Sequence, residues 1–273
     1  MIFKGRWFLE LLAIVIAILF LIPFYFILVN SVKSFGDIIM DGASWPKAFM
    51  WVNYVRVWET INFPRAFWNS LVVTVFSVAG MAIISAMAAY RIVRRPTVFS
   101  KVILFLFVSA MVIPFQSIMI PLVQVANGLN MLNSHVGLIF IYWGLGVPLS
   151  VFLFQGFIKT IPIELEEAAV IDGCSPYGVF WKVVFPLLKP VTVTVIILQS
   201  LWVWNDFLLP SLILQNTDLR TIPLANFSFF SEYTKQWDLG LAGLVMSITP
   251  LLIFFLFMQK HIIDGITGGS IKG

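Results

Sequence analysis

Long apolar runs alternate with short polar stretches along this chain, and their lengths match a bilayer better than a soluble core. A helix rises about 1.5 Å per residue, so about 20 apolar residues carry it across the hydrocarbon layer. That ruler predicts six spans, near 8–29, 67–90, 102–125, 136–157, 190–214 and 239–258. Arg65 and Arg91 bracket the second. Between Lys101 and Lys159 there is no charged residue, a stretch too long for one span. The Asn, Gly and Ser residues of 127–134 divide it into two. Lys4 and Arg6 precede the first run as they would in a signal peptide. No small-x-small site follows Val29, so an uncleaved first span is expected.

Six spans put both termini on one side. The segments on that side are 1–7, 91–101, 158–189 and 259–273, and they hold eleven of the 17 Lys and Arg residues. Arg91, Arg94, Arg95 and Lys101 share one short loop, whereas the opposite loop 126–135 has no Lys or Arg. Under the positive-inside rule the termini are cytoplasmic. The expected fold is all-α: a polytopic membrane protein of one transmembrane domain over 1–273, with a cytoplasmic loop at 158–189.

Composition supports this pattern and excludes several classes. Hydrophobic residues make up 60% of the chain and charged residues 11%, against about 25% charged in soluble domains. The net charge of +4 arises from residues between apolar runs, so nucleic acid is not an expected partner. Cys174 is the single cysteine, and His135 and His261 stand apart from each other. Neither a disulfide nor a metal cluster is expected. No phosphate-binding GxxxxGK[ST] loop and no Ser/His/Asp set occurs, so the chain is expected to be no enzyme and to carry no cofactor. Pro23, Pro114, Pro121, Pro148 and Pro210 fall inside the predicted spans. Each removes a backbone donor, and together they favour a transport bundle over a plain anchor.

The most informative segment is IPIELEEAAVIDGCSPYGVFWKVVFPLLKP, residues 161–190. Glu164, Glu166 and Glu167 fall in the first turn of a predicted helix, where carboxylates complement the positive end of the dipole. Asp172-Gly173 is a stop signal, and Ser175-Pro176 is a fresh start with Ser as N-cap. A short helix, a turn and a second short helix are therefore expected outside the membrane. A helix resting on lipid is the plainer reading, but such helices are usually basic. The acidic first turn and flat Ala168-Ala169 surface favour insertion into a partner's groove.

Glu167-Ala168-Ala169, Gly173 after three residues, then Val183 and Phe185-Pro186 after nine more, resembles the EAA loop of ABC importer permeases. The family pattern has Ile where Val183 stands and Leu where Phe185 stands; both departures stay apolar. Further segments resemble the six-span partner of the maltose-transporter type of carbohydrate permease. They include Asn30-Ser31-Val32-Lys33-Ser34, Asn53-Tyr54, Asn69-Ser70-Leu71, Ala88-Ala89-Tyr90-Arg91, Trp204-Asn205-Asp206-Phe207 and the Gly-rich tail 265–273. The resemblance implies a type I transmembrane domain in a bacterial or archaeal cytoplasmic membrane. Its partners would be a second homologous permease, two ATP-binding cassette subunits that hold ATP and Mg, and an extracytoplasmic solute-binding protein. It also implies that Glu164, Glu166, Glu167, Ala168, Ala169, Asp172, Gly173 and Pro186 form the coupling element.

A sugar path needs hydroxyl-matching polar groups and stacking aromatics. Gln116, Gln155, Gln199, Trp202, Asn205 and Asp206 are the candidates inside the spans. Asp206 reads either as a functional intramembrane carboxylate or as an interfacial residue beside belt tryptophans. In the external segment 215–240, Arg220, Glu232, Tyr233 and Trp237 are candidate contacts for the binding protein. Two other readings stay open. One is an ABC permease for another small solute, such as a polyol, glycerol phosphate or amino acid. The other is an ion-coupled secondary transporter, which would usually show internal repeats.

Overall fold

The structure, a computed structural model, describes residues 3–230 and 235–270. In chain order the helices are α1 (Phe3–Asn30), α2 (Phe35–Met40), α3 (Val52–Thr60), α4 (Phe63–Arg94), α5 (Val98–Val112), α6 (Phe115–Gly128) and α7 (His135–Ile158). Then follow α8 (Glu164–Ile171), α9 (Pro176–Val179), a π-helical turn at Phe180–Val184, α10 (Phe185–Leu187), α11 (Lys189–Asn205), α12 (Leu208–Ile213), α13 (Ile222–Asn226) and α14 (Trp237–Ser270).

Among the described residues, four helices are long and apolar enough to cross a membrane: Trp7–Asn30, Phe63–Arg94, His135–Ile158 and Trp237–Gln259. They coincide with the first, second, fourth and sixth predicted spans. The third and fifth are not straight. α5 and α6 meet at 109°, and the run Pro176–Leu187 meets α11 at 73°, so the count reaches six only if each bent pair is one span. The first bend has a local cause. Pro114 sits at the break with extended geometry and is the N-cap of α6; its ring prevents Ile113 from continuing the helix. The predicted fifth span also ends early, at Asn205, where Asp206 is extended and a separate short helix begins at Leu208. The expected break near 127–134 is present. α6 stops at Gly128, Asn130 and Asn133 adopt positive φ, and Ser134 caps α7 by accepting the Gly137 N–H.

The chain divides into two compact units, Met1–Ala66 with Ile222–Pro250, and Phe67–Thr221 with Leu251–Gly273. In the first unit, Val57, Phe229, Leu239 and Ala242 form a small core. The Asn53 amide donates to the Ser31 and Lys33 carbonyls, and the hydroxyls of Ser31 and Tyr54 are 2.7 Å apart. Two separate stretches of the family resemblance are thus one hydrogen-bonded joint. In the second unit, Ala82, Ala86 and Ala89 of α4, Val151 and Phe154 of α7, and Val191 and Val195 of α11 share one core with the 158–188 loop. Small residues allow the helices to approach closely. A Cβ on Gly80 would strike the Trp143 indole, and one on Gly146 would strike Met81.

Candidate functional site

The loop between α7 and α11 folds as its residues dictate. Pro162 precedes α8, and Glu164, Glu166 and Glu167 occupy its first turn. At the C-terminal end Gly173 takes φ +84°, a conformation that favours glycine. Its N–H donates to the Val170 carbonyl and the Cys174 N–H to the Ala169 carbonyl, the paired bonds of a Schellman stop. Ser175 then caps α9, accepting the Gly178 N–H at 3.2 Å, with Pro176 in the first turn.

The three glutamates of α8 face different surroundings. Glu164 and Glu167 are exposed, but Glu166 is buried. Its carboxylate accepts from the Arg94 Nε at 2.6 Å and from the Tyr90 hydroxyl at 2.7 Å. Arg94 also donates to the Ile161 carbonyl at 2.9 Å, so one guanidinium holds both the start of the loop and its first helix. Tyr90 and Arg94 are four residues apart, which puts them on one face of α4. Arg94 belongs to the basic loop that the sequence reading treats as topogenic, and nothing marked it as a partner for Glu166. The i, i+4 spacing from Tyr90 was the signal available.

Ala168 and Ala169 also part company. Ala169 is buried in the core with Ile158, Phe180, Val184 and Leu188, whereas Ala168 is exposed. Asp172, Gly173 and Pro186 are exposed. Beside them Val170, Ile171 and Tyr177 project apolar surface outward, Ile171 being 86% exposed. One side of the loop is therefore fixed to the bundle, and the other is an uncovered apolar and acidic surface.

The six path candidates do not form one cluster. Gln199 is buried, and its amide donates to the Gly146 carbonyl at 3.1 Å and the Ser150 hydroxyl at 2.9 Å, joining α11 to α7. Asp206 accepts the Tyr142 hydroxyl at 2.9 Å through Oδ2. Through Oδ1 it accepts the N–H of Leu208 and of Leu209, which caps α12. Asn205 is exposed and its amide donates to the Leu201 carbonyl. Trp202 is 39% exposed and sets its ring against the edge of Tyr142, centroids 5.4 Å apart. Gln116 on α6 is exposed, and Gln155 on α7 is half-buried. Tyr142, fully buried, is the residue the sequence did not single out.

Of the binding-protein candidates, Arg220 is half-buried in a segment fixed by Asn69, whose amide donates to the Asp218 and Arg220 carbonyls. Trp237 stacks edge-on with Phe230 and remains 39% exposed. Glu232 and Tyr233 lie outside the described residues.

Several long apolar helices, with the 158–189 loop tied to α4 through Arg94 and Glu166, fit a multi-pass helical membrane protein. Residues 79–268 match the family of binding-protein-dependent transport system inner membrane components, and the chain belongs to that family. It is 44% identical to "Probable starch degradation products transport system permease protein AmyC" of Thermoanaerobacterium thermosulfurigenes, over 98% of this chain and 97% of that one. It is 36% identical to the melibiose/raffinose/stachyose import permease protein MelC of Bacillus subtilis, over 99% and 98% of the two chains. The fold matches a chain in the crystal structure of a bacterial ABC transporter that imports the acidic polysaccharide alginate. The TM-score is 0.79 at 23% identity, covering 94% of this chain and 97% of that one.

Proposed function

We propose that this chain is a permease subunit of an ATP-driven, binding-protein-dependent importer of oligosaccharides. The names of its relatives support the substrate class: starch degradation products in one case, and melibiose, raffinose and stachyose in another. The observation that carries the coupling role is the two-sided build of the 158–189 loop. Glu166 and Ala169 fasten it to the bundle, while Ile171, Tyr177, Glu164 and Glu167 face outward.

In this reading residues 1–273 act as one transmembrane domain with six spans and both termini in the cytoplasm. It pairs with a second permease to enclose the path. One of the two ATPase subunits receives the outward face of α8 in its groove, the other serves the second permease, and a sugar-loaded binding protein docks on the opposite side. When the ATPases close on ATP, α8 moves with them. The Arg94–Glu166 ion pair then passes the displacement to α4, because drawing it apart would leave the buried Glu166 carboxylate without its counter-charge. The Schellman stop at Gly173 keeps α8 rigid enough to transmit the push.

The test is reconstitution of the whole transporter in proteoliposomes with its binding protein. Uptake of labelled maltooligosaccharide or raffinose should require internal ATP and ignore ion gradients. Uptake driven by a proton or sodium gradient without ATP would overturn the reading. ATP-driven uptake of a polyol or amino acid, with no sugar transported, would overturn the substrate class alone.

A further inference from the structure

At the C-terminal end of α4 a cavity of about 400 Å³ opens beside the coupling loop. Arg91, Arg94 and Arg95 line it together with Tyr177 and the apolar Met87 and Phe180. Arg94 is committed to Glu166. Arg91 and Arg95 are exposed, and among the described residues no carboxylate pairs with either. The Arg91 guanidinium makes only a long 3.4 Å contact with the Arg95 carbonyl. Cations in a last helical turn complement the dipole without further purpose. That requirement calls for no concavity, no apolar lining and no tyrosine in it.

We infer that this cavity holds the phosphate of an anionic phospholipid from the cytoplasmic leaflet. The phosphate sits between Arg91 and Arg95, and the first part of the acyl chains lies on Met87, which is 40% exposed. Arginine presents a planar fork of donors suited to phosphate oxygens. Basic pockets at the cytoplasmic ends of membrane helices suit anionic headgroups. The apolar part of the lining favours a lipid over free phosphate, which would gain nothing from Met87. A lipid seated here touches α4 and the α9 segment together, so it would bridge the bundle and the coupling loop.

The inference rests on the cytoplasmic orientation proposed above, which has its own check. With Cys174→Ser as background, Lys101→Cys should react with an impermeant maleimide only after the membrane is opened; labelling from outside would sink the orientation and leave the cavity's chemistry standing. The lipid itself is tested with the assembled transporter in nanodiscs of phosphatidylcholine doped with phosphatidylglycerol, then released for native mass spectrometry. The wild type should retain phosphatidylglycerol on this subunit. A surface arginine strengthens such binding about fivefold, so Arg91→Gln with Arg95→Gln should weaken it roughly 25-fold. The Arg91→Lys, Arg95→Lys pair should keep a substantial part, which separates lost charge from lost folding. Millimolar inorganic phosphate should fail to displace the lipid. Equal retention by wild type and the Gln pair would overturn the inference. So would displacement by free phosphate, which would mark a small-anion site. Loss of the ATPase subunits from the Gln pair with lipid retention intact would do the same, because the arginines would then serve an acidic partner surface.

Discussion

Glu166 and Asp206 are carboxylates drawn away from solvent, and each accepts a tyrosine hydroxyl. Their remaining partners set them apart. Glu166 is matched by a guanidinium on another helix, 72 residues away in the chain. Asp206 is matched by the N–H groups of the two residues that start the next helix. The first arrangement joins α8 to α4, so a force on one is felt by the other. The second closes a local break between α11 and α12, with Tyr142 fixing its orientation. A charge pair between elements suits transmission, whereas a cap suits shape. Under the proposed coupling role Glu166 would carry the mechanical load, while Asp206 is taken up by the backbone N–H groups of α12.

The sharpest contrast lies within the coupling loop itself. Ala169→Asp places an unpaired charge in the core of the second unit and should cost at least about 3 kcal/mol. The subunit should then disappear from membranes on immunoblots. Ala168→Asp, on the exposed neighbour, should leave the subunit in the membrane and abolish sugar-stimulated ATP hydrolysis. Equal loss of protein for both would erase the distinction between the fixed and the outward side.

Arg94→Gln leaves Glu166 without its cation and should cost about 3 kcal/mol, read as a fall in Tm of the purified complex and a loss of coupling. Glu166→Gln added to it should recover part of that loss, because the stranded charge is gone. Strict additivity in this double-mutant cycle would show that the two residues do not act together. Gly173→Val forces a branched side chain into positive φ at about 1–2 kcal/mol. It should lower transport more than it lowers Tm, since the strain falls on the outward tip.

The smallest effect belongs to the other carboxylate. Asp206→Ala removes a helix cap and should cost about 1 kcal/mol, with the KM for sugar nearly unchanged. A tenfold rise in KM at unaltered Tm would instead make Asp206 a sugar ligand and reverse the comparison.

Much of this was legible in the residues, for identifiable reasons. The four long apolar helices follow from length and hydropathy, and the end of α8 and the start of α9 follow from local capping chemistry at Gly173 and Ser175. What escaped the sequence depends on which neighbour a side chain meets. Three glutamates in one helical turn look alike until Arg94 selects Glu166, and two adjacent alanines differ only by the face they occupy. Pro114 lies inside one predicted span as a helix-bending residue, and its sequence position does not give the 109° angle between α5 and α6. The halt of α11 at Asn205 was hidden because Trp204, Phe207 and Leu208 continue an apolar run straight through it.

The outward face of α8 is the central claim, and site-specific photocrosslinking in the assembled transporter tests it most directly. A benzophenone side chain at Ile171, 86% exposed, is compared with one at Val98 on α5, 79% exposed. The account predicts an adduct with the ATPase subunit from Ile171 whose yield changes on addition of ATP, and none from Val98. Adducts from Ile171 with lipid alone, in the presence and absence of ATP, would contradict it.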